Sequence, residues 1–376
     1  MRSIPILDLK AQLASYRERA LQAMTEVMDS QYFILGPKVA AFESALGEWL
    51  DLPPVIGVSS GTDALLVALM ALDIGPGDEV IIPAKSFFAT AGVVARLGAT
   101  PVFVDIDPQT FNVTEELVRP AITERTKAII PVHLFGQSAD LGSLYDLPQD
   151  QRPAIIEDAA QALGAQLRGK HTGHLGDLCC TSFFPSKNLG GFGDGGAVYG
   201  SDETLLEKMK ILRVHGSKPK YHHHLVGGNF RLDALQAVIL HIKLEFLDQW
   251  AQQRRTNAGR YNQAFAQLDL IAEDKLLTPF ARNHEEHVYN QYVIRTPHRD
   301  ALKDFLKDRG VGTMIYYPSP LHTQPCFKNL NYQAGDFPVA ELACKEVLAL
   351  PVYPELSDED FNYVVDSVEA FFKTHA

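Results

Sequence analysis

From about Lys38 onward, short apolar runs alternate with segments of helical period, and this alternation constrains the fold more than any other feature. "PVIGVSSG" reads as a short strand, and "TDALLVALMAL" after it as a helix. "DEVIIPA", "TPVFVDID", "TKAIIPVH" and "PAIIEDAA" read as further strands, with helical stretches such as "ATAGVVARLG" and "TEELVRPAI" between them. Strands separated by helices must return to the same sheet edge-on, so the pattern predicts an α/β domain with a mostly parallel sheet. Upstream, "GPKVAAFESALGEWL" reads as a helix with Pro37 in its first turn. From "CCTSFFP" to "GGAVYG" two strands follow each other without a helix, which predicts an antiparallel excursion. "SDETLLEKMKILRVHG" then reads as a helix with Ser201 as its N-cap.

A long helical pattern from "RLDALQAVILHIKLEFLDQW" to about Leu268 reads as the connector into a second domain. The expected division is 1–247, an N-terminal arm and a large domain, and 248–376, a smaller α+β domain. The latter holds a strand "HVYNQYVIRT", a helix after His298, a strand "GTMIYYP" and two helices, the last with a capping-box pattern at Ser357. The formal net charge is -12 and no basic tract occurs, so nucleic acid is not an expected partner. Cys179, Cys180, Cys326 and Cys344 lack disulfide-framework or zinc spacing, which suits a reducing cytoplasm. The start "MRSIPILDLK" lacks a signal-peptide core, and no apolar run reaches membrane length.

"TSFFPSKNLGGFGDGG" places one lysine, Lys187, between a Pro-Ser turn and a run of glycines. A Walker-type phosphate loop needs the lysine after the glycines and a helix next, and here the order is reversed. Open α/β sheets present their chemistry at the carboxyl ends of their strands. Asp158 ends the "PAIIED" run at such a point, although a lone strand-end Asp reads equally well as a helix cap. "VSSGTDALLVAL" sets the N–H groups of Gly61, Thr62 and Asp63 at a helix N-terminus, a common but unspecific anion site. An amine, an acid and an anion cradle together suit pyridoxal phosphate, which needs a Schiff-base amine, a partner for its ring nitrogen and a seat for its phosphate. Phe87 or Phe88 offers a ring to stack on it, with plain core packing as the alternative.

These blocks, with "IPILDLK", "GDEVIIPAKSFFATA", "PVHLFGQSADL", "IIEDAAQALGA", "GGNFRLDALQA" and "YPSPLHTQPCF", resemble the sugar aminotransferases of the DegT/DnrJ/EryC1/StrS group over nearly the whole chain. The resemblance implies an aspartate-aminotransferase-type (fold type I) enzyme: a large domain with a mostly parallel mixed sheet and a smaller C-terminal α+β domain. It implies that Lys187 forms the Schiff base, Asp158 pairs with the pyridinium and Gln161 contacts the ring hydroxyl side. Ser182, Gly61, Thr62 and Asp63 would hold the phosphate, and Phe87 would be the stacking ring. Asn229 would reach the cofactor of the other subunit, making a homodimer with composite sites. The substrates implied are L-glutamate and a nucleotide-linked keto-hexose, with a lean towards C3 over C4 amination. Arg231 and His322 would lie near the sugar. Asn290 and Ser86 depart from the His and Thr commoner in the group, near where the sugar would lie. The alternative is a binding protein of regulatory role that keeps the cofactor and lacks turnover.

Two further features stay open. Consecutive His222, His223 and His224 cannot all face one ion from a regular element, and no metal site is expected. The segment "RVHGSKPKYHHH" is the one dense cationic stretch, so Lys218 and Lys220, with Arg213 and His215, are expected at the diphosphate; a solvated loop is the competing reading. Lys85 carries no assignment.

Overall fold

The computed structural model describes residues 2–283 and 285–375. Seven strands form one sheet: β1 (Ile56–Val58), β2 (Glu79–Pro83), β3 (Thr100–Val104), β4 (Thr126–Ile129), β5 (Ala154–Asp158), β6 (Leu178–Ser182) and β7 (Gly196–Gly200). Their order across the sheet is β1-β7-β6-β5-β4-β2-β3. The pairs β2–β3, β2–β4, β4–β5 and β5–β6 are parallel. Strand β7 runs antiparallel between β6 and β1, so the helix-free passage after "CCTSFFP" does reverse direction. β1, β2 and β7 are buried along their whole length, as a parallel sheet covered on both faces requires.

Helices α1 (Leu9–Ala14), α2 (Arg17–Ser30) and α3 (Pro37–Leu50) precede the sheet, and α2 and α3 lie against a later helix, α7 below. α4 (Gly61–Ala71) crosses β6 and β7 and buries Ala64 through Leu69. α5 (Ala89–Arg96) follows β2 and lies against β3 and α4. α6 (Glu203–Leu212) leads, through a long loop, to α7 (Ala234–Leu244) and α8 (Leu247–Gln267). The long helical pattern is therefore two helices, broken at residues 245–246. Trp250 and Ala251 of α8 join the cluster of α3 and α7, whereas Ala258, Tyr261 and Phe265 join the C-terminal core. One helix thus ties the two cores together.

The C-terminal part pairs β8 (Tyr292–Arg295) antiparallel with β9 (Val347–Leu350) and carries α9 (Arg299–Asp308), α10 (Pro338–Glu346) and α11 (Asp358–His375). Residues at the N-terminus cross over to it. Ile4 N–H donates to the Gly310 carbonyl (2.8 Å), Gly312 N–H donates to the Ile4 carbonyl (2.7 Å), and Ile4 is buried in the C-terminal core. "GTMIYYP" is not a strand. Only Met314 bridges to Ala349, and the chain then bends towards the sheet end. The capping at Ser357 holds, with Asp360 N–H donating to its hydroxyl at 3.1 Å. Ser201 does not cap α6. Asp202 does, its carboxylate accepting from the Thr204 and Leu205 N–H groups at 2.8 and 3.1 Å. A carboxylate there also meets the positive end of the helix dipole, which a serine cannot exploit. Among the described residues, no helix is long and apolar enough to cross a membrane.

Asp202→Ala should therefore cost about 1 kcal/mol in denaturant unfolding, while Ser201→Ala should stay within about 0.5 kcal/mol of the parent. Equal losses from the two would show that the cap is shared.

Candidate active site

At the carboxyl ends of β4, β5 and β6 lies a cavity of about 360 Å³. β5 fixes its floor. Asp158 N–H donates to the Pro131 carbonyl (2.9 Å) and its own carbonyl accepts from His133 N–H (3.0 Å), so its backbone is held from the β4 side. Its neighbour Glu157 points to the opposite face, as strand alternation demands. Glu157 is fully buried there, with Oε1 accepting from Gly173, Leu175 and Gly176 N–H and Oε2 meeting His133 Nε2 at 2.8 Å. His133 Nδ1 accepts from Ala139 N–H at 2.9 Å, so the proton sits on Nε2 and is donated to Glu157. The register that puts Asp158 in the cavity is thereby pinned from behind.

The Asp158 carboxylate is buried and accepts from Thr90 Oγ1 (2.9 Å) and Ala160 N–H (3.2 Å). Thr90 sits on α5 and is linked in turn to Ser86 Oγ at 2.9 Å. Burial is the main cause that raises the Asp158 pKa, opposed by those two donors and by Lys187. Lys187 stands on a tight turn whose N–H donates to the Phe184 carbonyl at 2.8 Å. Burial lowers its ammonium to about 8, against the pull of Asp158. The glycines after it permit the turn: a Cβ on Gly190 would lie 2.2 Å from the Pro185 carbonyl oxygen, closer than any real Cβ approaches.

Gly61, Thr62 and Ser182 line the same cavity. A Cβ on Gly61 would lie 2.6 Å from Ser182 Cβ, so only glycine lets the helix start come this close to β6. Asp63 differs from expectation. Its N–H donates to Ser60 Oγ (3.0 Å), the N-cap of α4, and its carboxylate accepts from Ser59 Oγ (2.6 Å). Its backbone donor is therefore spent on the cap, while Gly61 and Thr62 have no carbonyl one turn behind them. Phe87 lines the cavity, its ring 5.9 Å from that of Tyr317, whereas Phe88 turns away and stacks on Phe327 at 5.7 Å. Gln161 also lines it, with Oε1 accepting from Phe135 N–H (2.7 Å) and Nε2 donating to Tyr317 Oη (3.1 Å). A flat, aromatic-walled slot with an amine, a carboxylate and a helix N-terminus on its sides fits pyridoxal phosphate.

The remaining expected contacts fall outside this cavity. Asn229 bridges to Val214, and Arg231 bridges to Val58 with its Nε buried and unpartnered. Lys218 is exposed and ion-paired with Glu207, and Lys220 lies 5.1 Å above the Tyr221 ring. Arg213 is not available to a diphosphate at all. Its buried guanidinium pairs with Glu43 and donates to the Gly57 carbonyl (2.9 Å). His322 faces away from the cavity, enclosed by Phe103, Tyr332 and Phe337 and with Nε2 3.2 Å from Glu341. Of the histidine run, His223 Nδ1–H donates to the His215 carbonyl at 2.9 Å, and no three His, Cys, Asp or Glu among the described residues converge as metal ligands. Lys85 is buried, donates to the Tyr316 carbonyl (2.6 Å) and is pushed down to about 8 by burial. Sequence reasoning gave no role to Tyr317, Gln291 and Asp194, which line the cavity although each lies within a motif or strand read from the sequence. Thr90 lies in the first turn of α5, just after the "SFF" run, where local sequence does not mark it as a partner of Asp158.

The model of the DegT/DnrJ/EryC1/StrS aminotransferase family matches residues 14–369. The chain is 48% identical over 374 residues to a "pleiotropic regulatory protein" of Geobacillus stearothermophilus, covering 100% of both chains. It is 45% identical over 358 residues to the UDP-N-acetyl-3-dehydro-alpha-D-glucosamine 3-aminotransferase of Acidithiobacillus ferrooxidans, covering 95% of each. DesV of Streptomyces venezuelae, solved in complex with a ketimine intermediate, superposes with a TM-score of 0.95 at 38% identity, covering 100% of both chains. Other similar solved structures hold the pyridoxamine or pyridoxal form of the cofactor. With its mostly parallel mixed sheet and the lysine, carboxylate and helix N-terminus gathered at one end of it, the chain belongs to the DegT/DnrJ/EryC1/StrS aminotransferase family.

Proposed function

We propose that the protein transfers an amino group from L-glutamate to C3 of a nucleotide-linked keto-hexose, with pyridoxal phosphate held between Lys187 and Asp158. The observation that carries this is one 360 Å³ cavity bounded by a half-buried lysine, a buried carboxylate and the start of α4. The C3 assignment is supported by the 45% identical relative, which is named as a 3-aminotransferase. When bound, the cofactor supplies an electrophilic carbonyl carbon and a ring that accepts electrons. Lys187 Nζ, its pKa brought down to about 8 by burial, has a neutral fraction near physiological pH that is the nucleophile for that carbon. It is also the base that takes and returns the proton on the amine-bearing carbon. Asp158, oriented by Thr90, holds a proton on the ring nitrogen. A cation there offsets the burial that disfavours the free carboxylate. Gly61, Thr62 and Ser182 seat the phosphate, Phe87 covers the ring, and Gln161 has one amide hydrogen left for the ring hydroxyl.

A homodimer with shared sites belongs to the same proposal. Asn229, Lys218 and Lys220 do not line their own cavity. Large apolar side chains are exposed in the segments before α3, after β6 and in the loop before α7: Tyr32, Phe33 and Ile34, Phe184 and Phe192, Tyr221 and Val226. Surfaces of that kind mark protein contacts. In the dimer, Asn229 serves the partner's phosphate site, and Lys218 and Lys220 face the diphosphate. Arg231 stands nearer the sugar, its buried Nε awaiting an acceptor. The units are 1–247 and 248–376, with the first residues crossing onto the second. The name of the 48% identical relative keeps a second reading in view, a cofactor-binding regulator without turnover.

Covalent capture of pyridoxal phosphate by the apoprotein should speed up with rising pH around a midpoint near 8, because only the neutral amine attacks. Asp158 favours the protonated amine, so Asp158→Asn should move that midpoint lower. Borohydride fixation and peptide mapping at each pH read this out, and a midpoint near 10.5 would mean that the Lys187 amine is not desolvated in the cavity.

Holoenzyme treated with L-glutamate should lose its visible absorbance, and a nucleotide-linked 3-keto sugar should restore it. A cofactor that stays unchanged under glutamate favours the regulator reading. Mixing Lys187→Ala and Asn229→Ala proteins should recover about a quarter of wild-type activity through heterodimers with one intact site. Recovery of none would show that Asn229 acts within its own subunit.

A further inference from the structure

A second cavity, of about 50 Å³, adjoins the first. Ser186, Gln291 and Tyr316 line both, and Ser186 is the residue before Lys187. The smaller cavity is walled by apolar residues from the N-terminal crossover and from β9, yet its polar lining is unsatisfied. Asn290 is 6% exposed, and both its Nδ2 and its Oδ1 lack a partner. Gln291 Oε1 also lacks one. Arg254, from α8, is 5% exposed, and its Nη1 makes two long bonds of 3.4 Å to the Tyr289 and Asn290 carbonyls. Among the described residues, no carboxylate comes within 4.0 Å of its guanidinium. Glu355 acts on it only from further off, and burial brings the Arg254 pKa down to about 10.

Buried polar groups are normally paired, and a buried cation is costly without an anion. The unpartnered Asn290 Nδ2 donor beside a guanidinium that lacks a carboxylate therefore points to a missing acceptor ligand. A water needs roughly 10–15 Å³ of such space, so 50 Å³ admits a carboxylate but neither a sugar nor a nucleotide. A planar carboxylate matches the guanidinium fork, and the Asn290 amide can supply a further donor.

We propose that this pocket is a carboxylate subsite of the active site, with Arg254 and Asn290 as its receptors. The inference rests on the aminotransferase reading for its two sources. In an α-amino acid donor the carboxylate is one bond from the carbon bearing the amine, so seating it here directs the amine to Lys187, the neighbour of Ser186. In a keto-sugar of the uronate class, the sugar's own carboxylate is the occupant.

The test uses the holoenzyme and succinate, an unreactive dicarboxylate, with binding followed by calorimetry and by the visible absorbance of the cofactor. Wild type should bind it saturably. Arg254→Lys, which keeps the charge but loses the fork, and Asn290→Ala should each weaken it about tenfold or more. Retained cofactor absorbance reports that each variant is folded. KM for glutamate should rise in both variants, with the neutral-sugar half-reaction unchanged, if the donor is the occupant. A rise confined to a uronate sugar nucleotide assigns the sugar instead. Succinate binding that is absent from wild type, or equal in all three proteins, overturns the subsite. Arginine-dependent succinate binding without any conversion by glutamate would leave the subsite standing and remove the aminotransferase reading.

Discussion

Two adjacent carboxylates at the end of β5 set the frame on which the site is built. Strand alternation sends Glu157 and Asp158 to opposite faces of the sheet, and each is buried. Glu157 meets three backbone N–H groups and His133, so its charge is matched on the far face. Asp158 meets one hydroxyl and one N–H, so its charge is only partly matched on the near face. A slip of one residue would exchange them, leaving Glu157 donors empty and placing a longer acid in the cavity. The satisfied carboxylate thus fixes the position of the unsatisfied one.

Lys187 answers Asp158 from the next segment of chain. β6 is parallel to β5 and delivers its carboxyl end to the same edge, after which the chain must turn, expose one lysine and come back antiparallel as β7. The glycines exist for that return. Side chains at Gly190 or Gly61 would collide with backbone or with Ser182 and force the turn outward. Burial then lowers the lysine pKa to about 8, which raises its neutral fraction near physiological pH, while the carboxylate opposite limits the effect. One geometry both places the amine and adjusts its proton affinity.

The two adjoining cavities draw part of their lining from elements other than those that carry Lys187 and Asp158. Tyr316 and Tyr317 come from a segment without regular structure, held by Lys85 through the Tyr316 carbonyl and by Gln161 through the Tyr317 hydroxyl. Asn290 and Gln291 come from the residues just before β8, and Arg254 from a helix that ties the two cores together. These groups stand on the C-terminal part, so any motion between the two cores would change the substrate side while leaving Asp158 and Lys187 in place.

The strand–helix alternation was legible because buried parallel strands are apolar along their length, and the reversal at β7 because no helix separates it from β6. Lys187, Asp158, Gly61, Thr62 and Phe87 could be placed in one cavity because each sits at a strand end, a helix start or a turn, positions that local sequence marks, whereas Ser182 and Gln161 were legible only through the family resemblance. Asp63, Arg213 and His322 could not be placed, because what decides them are partners far along the chain or a cap chosen among neighbouring hydroxyls: Ser60, Glu43 and Glu341. The same holds for Ser201, where a stronger capping carboxylate one residue on took the role. Local pattern therefore determined the elements and the amine–acid–cradle set. Tertiary packing alone decided which polar side chains were consumed inside the fold and which, like Arg254 and Asn290, were left facing a cavity, since satisfaction of a buried group depends on whatever the fold brings beside it.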